Sequence, residues 1–130
     1  YDALAEQYGN EALESNLNAM ITVSDNAAAN TLVGYLGGGD NEAGKNVVNQ
    51  FCQAHDYTDT SMGRMLEEET ENGDNYTSVK DCGAFLREIY QLCSNIPTES
   101  TLKNAEAMYH LLKLQTRTNK IPAQMPEAFM

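Results

Sequence analysis

The 130-residue chain has little basic character: eight lysines and arginines stand against 19 aspartates and glutamates, a net charge of −11. That balance argues against nucleic acid and anionic lipid as partners, since both need a basic surface. No apolar run reaches the roughly 20 residues that span a bilayer, and no signal-peptide pattern is present, so membrane insertion is not expected. Cysteine is sparse. Cys52, Cys82 and Cys93 include no Cys-x-x-Cys, and His55 and His110 form no His-x-x-x-His pair, so no metal site is expected and no cofactor is implied. Cys82 and Cys93 would lie about 16 Å apart on one helix, too far to bridge. Cys52 is left open to pair with either, although all three read best as small apolar residues on buried stripes. The acidic run Glu67, Glu68, Glu69, Glu71 and Asp74 lacks the alternating spacing and central glycine of a calcium loop and reads as a solvated face. The first residue is Tyr1 rather than Met, as in a processed product or an excised piece.

What is present is helical periodicity in a chain the length of one domain. From Tyr1 to Gly9 the pattern is weak. Leu13, Leu17, Met20 and Ile21 then form one stripe of a helix from about Glu11 to Val23, which outweighs a strand at Ile21-Thr22-Val23. A third helix carries Ala29, Leu32, Val33 and Leu36 and stops at Gly37-Gly38-Gly39. The fourth spans about Glu42 to His55 with Val47, Val48, Phe51, Cys52 and His55 as its stripe, His55 being a C-terminal residue favoured by the helix dipole. Tyr57 to Met65 alternates too briefly to define a strand, and Glu67 to Asn75 reads as an exposed loop. Thr77 or Ser78 opens a fifth helix striped by Val79, Cys82, Leu86, Ile89, Tyr90 and Cys93. Asn95-Ile96-Pro97 breaks it, and a sixth runs from about Thr98 to Thr116 with Leu102, Ala105, Tyr109 and Leu112 in register. Pro122 and Pro126 bracket a turn-rich tail, and Asn75-Tyr76-Thr77 matches a glycosylation sequon.

The helical pattern is interrupted once in an informative way, at Met20-Ile21-Thr22-Val23-Ser24-Asp25-Asn26-Ala27-Ala28-Ala29-Asn30. Ser, Asp and Asn compete for backbone hydrogen bonds, so their run ends one helix and caps the next. This stretch, with Leu36-Gly37-Gly38 after it, closely resembles the Ser-Asp-Asn element of class A β-lactamases and related penicillin-recognising serine enzymes. The resemblance extends along most of the chain. Thr60-Ser61-Met62-Gly63-Arg64 is similar to the entry of that family's Ω loop, and Asn75-Tyr76-Thr77-Ser78 with Asp81 to its exit. Leu112 to Pro126 resembles the segment that leads toward a Lys-Thr-Gly strand.

The resemblance implies a mostly α fold, the helical subdomain of the β-lactamase/transpeptidase-like fold with about five to six helices, without the sheet subdomain. It implies that Ser24 passes a proton to the leaving lactam nitrogen, that Asn26 holds the substrate's side-chain amide, and that Asn30, on the same helix face as Asn26, lines the substrate site with it and braces the loop of the deacylating carboxylate. Asp25 would be architectural, and Arg64 would pair with Asp74 across the base of the loop. A hydroxyl both donates and accepts, as a proton relay requires, and an amide can fix a planar amide partner. The implied small molecules are a β-lactam or a cell-wall peptide, and the implied location is outside the cytoplasm.

Three departures stand beside this. No Ser-x-x-Lys precedes Ser24; Ser100-Thr101-Leu102-Lys103 has the letters on the wrong side of the tripeptide and reads as a chance match with Ser100 as a cap. No Lys-Thr-Gly or Lys-Ser-Gly occurs. Where the family has Arg-x-Glu, this chain has Arg64-Met65-Leu66 with Glu67 one place late; the resemblance carries Glu67 over as the catalytic carboxylate of deacylation, while a one-residue shift usually re-aims a side chain. Alone, then, the chain is expected to be inactive, as a fragment of a β-lactam hydrolase. A penicillin-binding D-Ala-D-Ala peptidase, a degenerate cell-wall-peptide binder and a non-catalytic helical interaction domain are the alternatives. In the family the nucleophile helix runs through the middle of this subdomain. Its absence would leave an apolar groove and favour self-association.

Overall fold

The computed structural model describes residues 1–94 and 99–116, apart from the side chains of residues 72 and 99–102. Among them are six α-helices: α1 (Asp2–Tyr8), α2 (Asn10–Thr22), α3 (Asn26–Leu36), α4 (Asn41–Ala54), α5 (Val79–Ser94) and α6 (Glu99–Lys113). Two short strands, β1 (Ser61–Met62) and β2 (Asn75–Tyr76), pair antiparallel with Ser61 opposite Tyr76 and Met62 opposite Asn75. They form the neck of the loop that the sequence marks as polar, which contains a single 3-10 turn at Thr70–Asn72. The break at Asn95-Ile96-Pro97, the tail with Pro122 and Pro126, and the side chain of Ser100 lie outside the described residues.

Two aspartates start the central helices. Asp25 accepts from Ala28 N at 2.8 Å and Asp40 from Ala43 N at 3.1 Å, each satisfying a donor that the first helical turn leaves unpaired. Helices α2, α3 and α4 pack in sequence around Leu13, Ala28, Leu32, Val33 and Cys52, all buried. The α3–α4 approach is close enough to demand glycine: a Cβ on Gly44 would sit 1.9 Å from Val33 O. Thr116 closes the domain, donating to Thr22 O through its backbone N (2.7 Å) and its Oγ1 (3.0 Å). The carbonyl so used is one that the end of α2 leaves without a helical partner.

Several outward and inward faces differ from the apolar periodicity. On α5 the expected stripe is largely exposed, with Val79 92%, Leu86 53% and Tyr90 66% accessible. Cys82 is exposed as well, so only Cys52 of the three cysteines is buried, and all three are free thiols. The inward face of α5 carries Asp81, buried to 3% exposure, beside Ile89. Asp81 turns inward because the preceding turn supplies donors: Asp59 N at 2.9 Å and the Thr60 hydroxyl at 2.7 Å. A buried carboxylate is tolerated where hydrogen bonds replace its water. Phe51 on α4 and Tyr109 on α6 also face outward, while Lys45 on α4 is buried with its ammonium 2.6 Å from Glu42 and 3.2 Å from Gly63 O.

Beyond α4, Glu88 of α5 receives two partners. His55 Nδ1 lies 2.7 Å from its Oε1, and the buried Tyr57 hydroxyl donates to its Oε2. His55 stacks on Phe51 with ring centroids 4.1 Å apart. Burial and, after it, the bond to Glu88 push the Tyr57 hydroxyl up to about 12. A folded-state value above the ordinary tyrosine value of about 10 means stability that is intact below pH ~10 and lost as pH rises toward 12. In an absorbance titration at alkaline pH, one of the seven tyrosines is expected to ionise late and with unfolding; Tyr57→Phe removes that late step.

Candidate active site

The α2–α3 bend is built by capping. Helix α2 ends with Val23 N and Asp25 N both donating to Ala19 O, at 3.3 and 3.1 Å. Between them Ser24 takes the left-handed conformation, φ 59°, at the position where a helix C-terminus ordinarily recruits glycine. A residue with a Cβ pays about 1–2 kcal/mol there. The result is an exposed hydroxyl at the point where the chain reverses, making no hydrogen bond among the described residues. Asp25 spends its carboxylate on the α3 cap, and Asn26 begins α3 with its side chain exposed.

One turn along α3, Asn30 grips the loop. Its Oδ1 accepts from Leu66 N at 2.8 Å and its Nδ2 donates to Leu66 O at 2.9 Å, the two bonds a neighbouring strand would supply. The residue held is Leu66, one before Glu67. Glu67 then adopts φ 68°, again left-handed, and its Oε1 accepts from Asn26 Nδ2 at 3.0 Å. The left-handed turn directs the carboxylate back toward α3.

Below the clamp the loop is pinned by side chains at nearly every step. Arg64 Nε reaches Asp74 Oδ1 at 2.9 Å, and its Nη1 donates to Glu68 O at 3.1 Å. The Asn75 N–H, ahead of the Arg64 guanidinium, holds the Asp74 carboxyl below the usual carboxylate range. Asn75 Oδ1 accepts from both Gly63 N (2.9 Å) and Arg64 N (3.1 Å), so the sequon asparagine is committed inside the neck. A Cβ on Gly63 would lie 2.5 Å from Asp74 O, which fixes glycine where the two sides of the neck approach. Met65 anchors the loop from within at 4% exposure.

Ser24, Asn26 and Glu67 occupy open surface. Beside them runs a groove of about 1270 Å³, lined by Leu13, Leu17, Met20, Leu32, Leu66 and Leu111 among others; its wall reaches the loop at Leu66, and neither Ser24 nor Asn26 lines it. No group of three or more His, Cys, Asp or Glu among the described residues is arranged to hold a metal ion. No described helix is long and apolar enough to cross a membrane. Sequence reasoning missed Asn49, Asn75 as a loop pin and Thr116. The available signal for Asn49 was a poor helix former placed one turn from Lys45 on the face of Cys52.

Ser24 sits where backbone strain opposes its side chain. Ser24→Gly is therefore expected to raise stability by about 1 kcal/mol in urea unfolding, by releasing the left-handed cost while deleting the hydroxyl. A loss of stability would show that the hydroxyl is retained for the fold.

The family model Beta-lactamase2, described as the beta-lactamase enzyme family, matches residues 7–130. Searches of curated proteins and of solved structures each find no significant match. The match covers nearly the whole chain and agrees with a mostly helical architecture and a single two-stranded sheet among the described residues. The chain belongs to the β-lactamase enzyme family, as a helical subdomain of the β-lactamase-like serine hydrolase fold.

Proposed function

We propose that this chain contributes half of a site for acyl transfer from a β-lactam amide, and that it is inactive without the other half. Ser24 relays a proton to the departing lactam nitrogen, Asn26 binds the acyl side-chain amide, and Glu67 activates the deacylating water. Asn30 braces the loop, and Asp25, Arg64 and Asp74 are architectural. The observation that carries the reading is the 3.0 Å contact between Asn26 and Glu67, which brings a potential base from 41 residues away to the Ser-Asp-Asn bend. A general base has to lie within hydrogen-bond reach of its site before its chemistry matters. The same residues lack a nucleophile: the 130 residues hold no Ser-x-x-Lys ahead of Ser24 and no Lys-Thr/Ser-Gly. A proton relay accelerates little when nothing forms the tetrahedral intermediate.

A second reading, a peptidase-like member that acylates and releases slowly, is favoured by one feature. The position gripped by Asn30 holds Leu66, and the carboxylate arrives one residue later from an exposed, left-handed backbone. Location outside the cytoplasm accompanies either reading, because cell-wall peptides and β-lactams are met there.

The purified chain is expected to leave nitrocefin unhydrolysed, and turnover above background would overturn the half-site reading. A protein that carries this chain together with Ser-x-x-Lys and Lys-Thr/Ser-Gly elements is expected to take a fluorescent penicillin covalently. Rapid loss of the label identifies the hydrolase and a long-lived adduct the peptidase; no labelling excludes both. The apolar groove beside Leu66 further supports self-association of the chain alone. Sedimentation is expected to show mass rising with concentration, and a monomer at all concentrations would exclude it.

A further inference from the structure

We propose that Asn49 of α4 is a positioning residue for Glu67, acting through the backbone of Met62; the assignment rests on the role given to Glu67 above. Met62 stands opposite Asn75 in the two-residue ladder. On its other side Met62 N donates to Asn49 Oδ1 at 2.7 Å, and Asn49 Nδ2 donates to Met62 O at 3.0 Å. Asn49 thus stands in for a missing third strand, in the same two-bond manner as Asn30 at Leu66. Lys45, one turn earlier on α4, holds the next carbonyl, Gly63 O, at 3.2 Å.

The two asparagines sit on helices whose separation is fixed. Gly44 brings the backbones of α3 and α4 together, leaving no room for a Cβ against Val33 O. Asn49 and Asn30 therefore act as two fixed points that grip the incoming strand at Met62 and at Leu66. The segment between them has no slack to redistribute, because Gly63 and Arg64 are tied to Asn75. Glu67 follows the second point directly, so where α4 places Met62 sets how Leu66 meets Asn30 and where the carboxylate lands. Asparagine inside a helix is a poor choice for helix stability, and a hydrophobe would fill the same inward position. What the amide supplies, and leucine does not, is this register.

The Asn26 side-chain NH2 resonance reports its contact with Glu67, and Glu67→Gln marks where that signal goes when the carboxylate is altered. Asn49→Leu, which keeps the branched shape of the side chain and removes both bonds, is expected to move the Asn26 signal and to speed hydrogen exchange at Leu66 N by roughly tenfold. Ile89→Val on α5, a small core deletion away from the loop, is expected to leave the Asn26 signal in place. An Asn26 signal that stays put in Asn49→Leu while Met62 N exchanges faster would reduce Asn49 to a local structural role and overturn the proposal. A measurement on the unaltered chain covers the case in which Asn49→Leu does not fold. Met62 N and Leu66 N are expected to exchange as one unit, and Met62 exchanging about a hundredfold faster than a protected Leu66 would overturn the proposal equally. These signals do not depend on acylation. Failure of a carrier protein to take a penicillin label would remove the catalytic reading and leave the positioning result standing.

Discussion

The paired hydrogen bonds between Asn30 and the backbone of Leu66 are the constraint on which the site depends. A loop with only a two-residue ladder at its neck has few backbone partners of its own. Its N–H and C=O groups must still be satisfied once they leave water. This chain meets that requirement with asparagine side chains: Asn30 and Asn49 from the helices, and Asn75 from the opposite side of the neck. A primary amide carries an oxygen acceptor and, on the same side, an N–H donor, so one side chain can bond both the N–H and the C=O of a single extended residue as a strand neighbour would. Because the replacements are rooted in α3 and α4, the loop inherits the rigidity of the helices.

Left-handed backbone outside glycine occurs at Asp56, after α4, and at two residues of the candidate site. Ser24 and Glu67 both hold left-handed backbone, 43 positions apart in the chain and joined through Asn26. At Ser24 the reversal between α2 and α3 demands such a conformation, and glycine would meet the demand at lower cost. At Glu67 it turns a carboxylate back to α3 after the clamp has closed on its neighbour. Thr116 adds a further tie at the same corner, bonding the last carbonyl of α2 and bringing the chain after α6 to the bend.

Charge is handled locally. The net −11 is spread over exposed carboxylates, and the acidic groups that turn inward have named donors: Asp81 takes an N–H and a hydroxyl, and Glu88 takes Tyr57 and His55. These arrangements bear on the turned face of α5. Of the stripe Val79, Cys82, Leu86, Ile89, Tyr90 and Cys93, Ile89 is buried while Val79, Cys82, Leu86 and Tyr90 are exposed, and the inward side also carries Asp81, whose partners lie in the turn from Asp59 to Thr60. Hydrophobic area favours one orientation, and satisfied buried carboxylates favour the other.

The amino-acid order by itself determined the elements whose causes are local. The helical spans, the stop at Gly37-Gly38-Gly39 and the bend at Ser24-Asp25-Asn26 follow from periodicity, capping chemistry and glycine's freedom within a few residues. The family is legible for the same reason, since the resemblance that points to it starts from a contiguous run, Ser24-Asp25-Asn26. The aim of Glu67, the grip of Asn49 on Met62 and the return of Thr116 to Thr22 were decided only by the tertiary structure. Each joins residues from 13 to 94 positions apart, through hydrogen bonds whose formation depends on how helices pack and on the sign of one backbone angle. No local pattern encodes that sign, because its cost is met by contacts elsewhere in the fold.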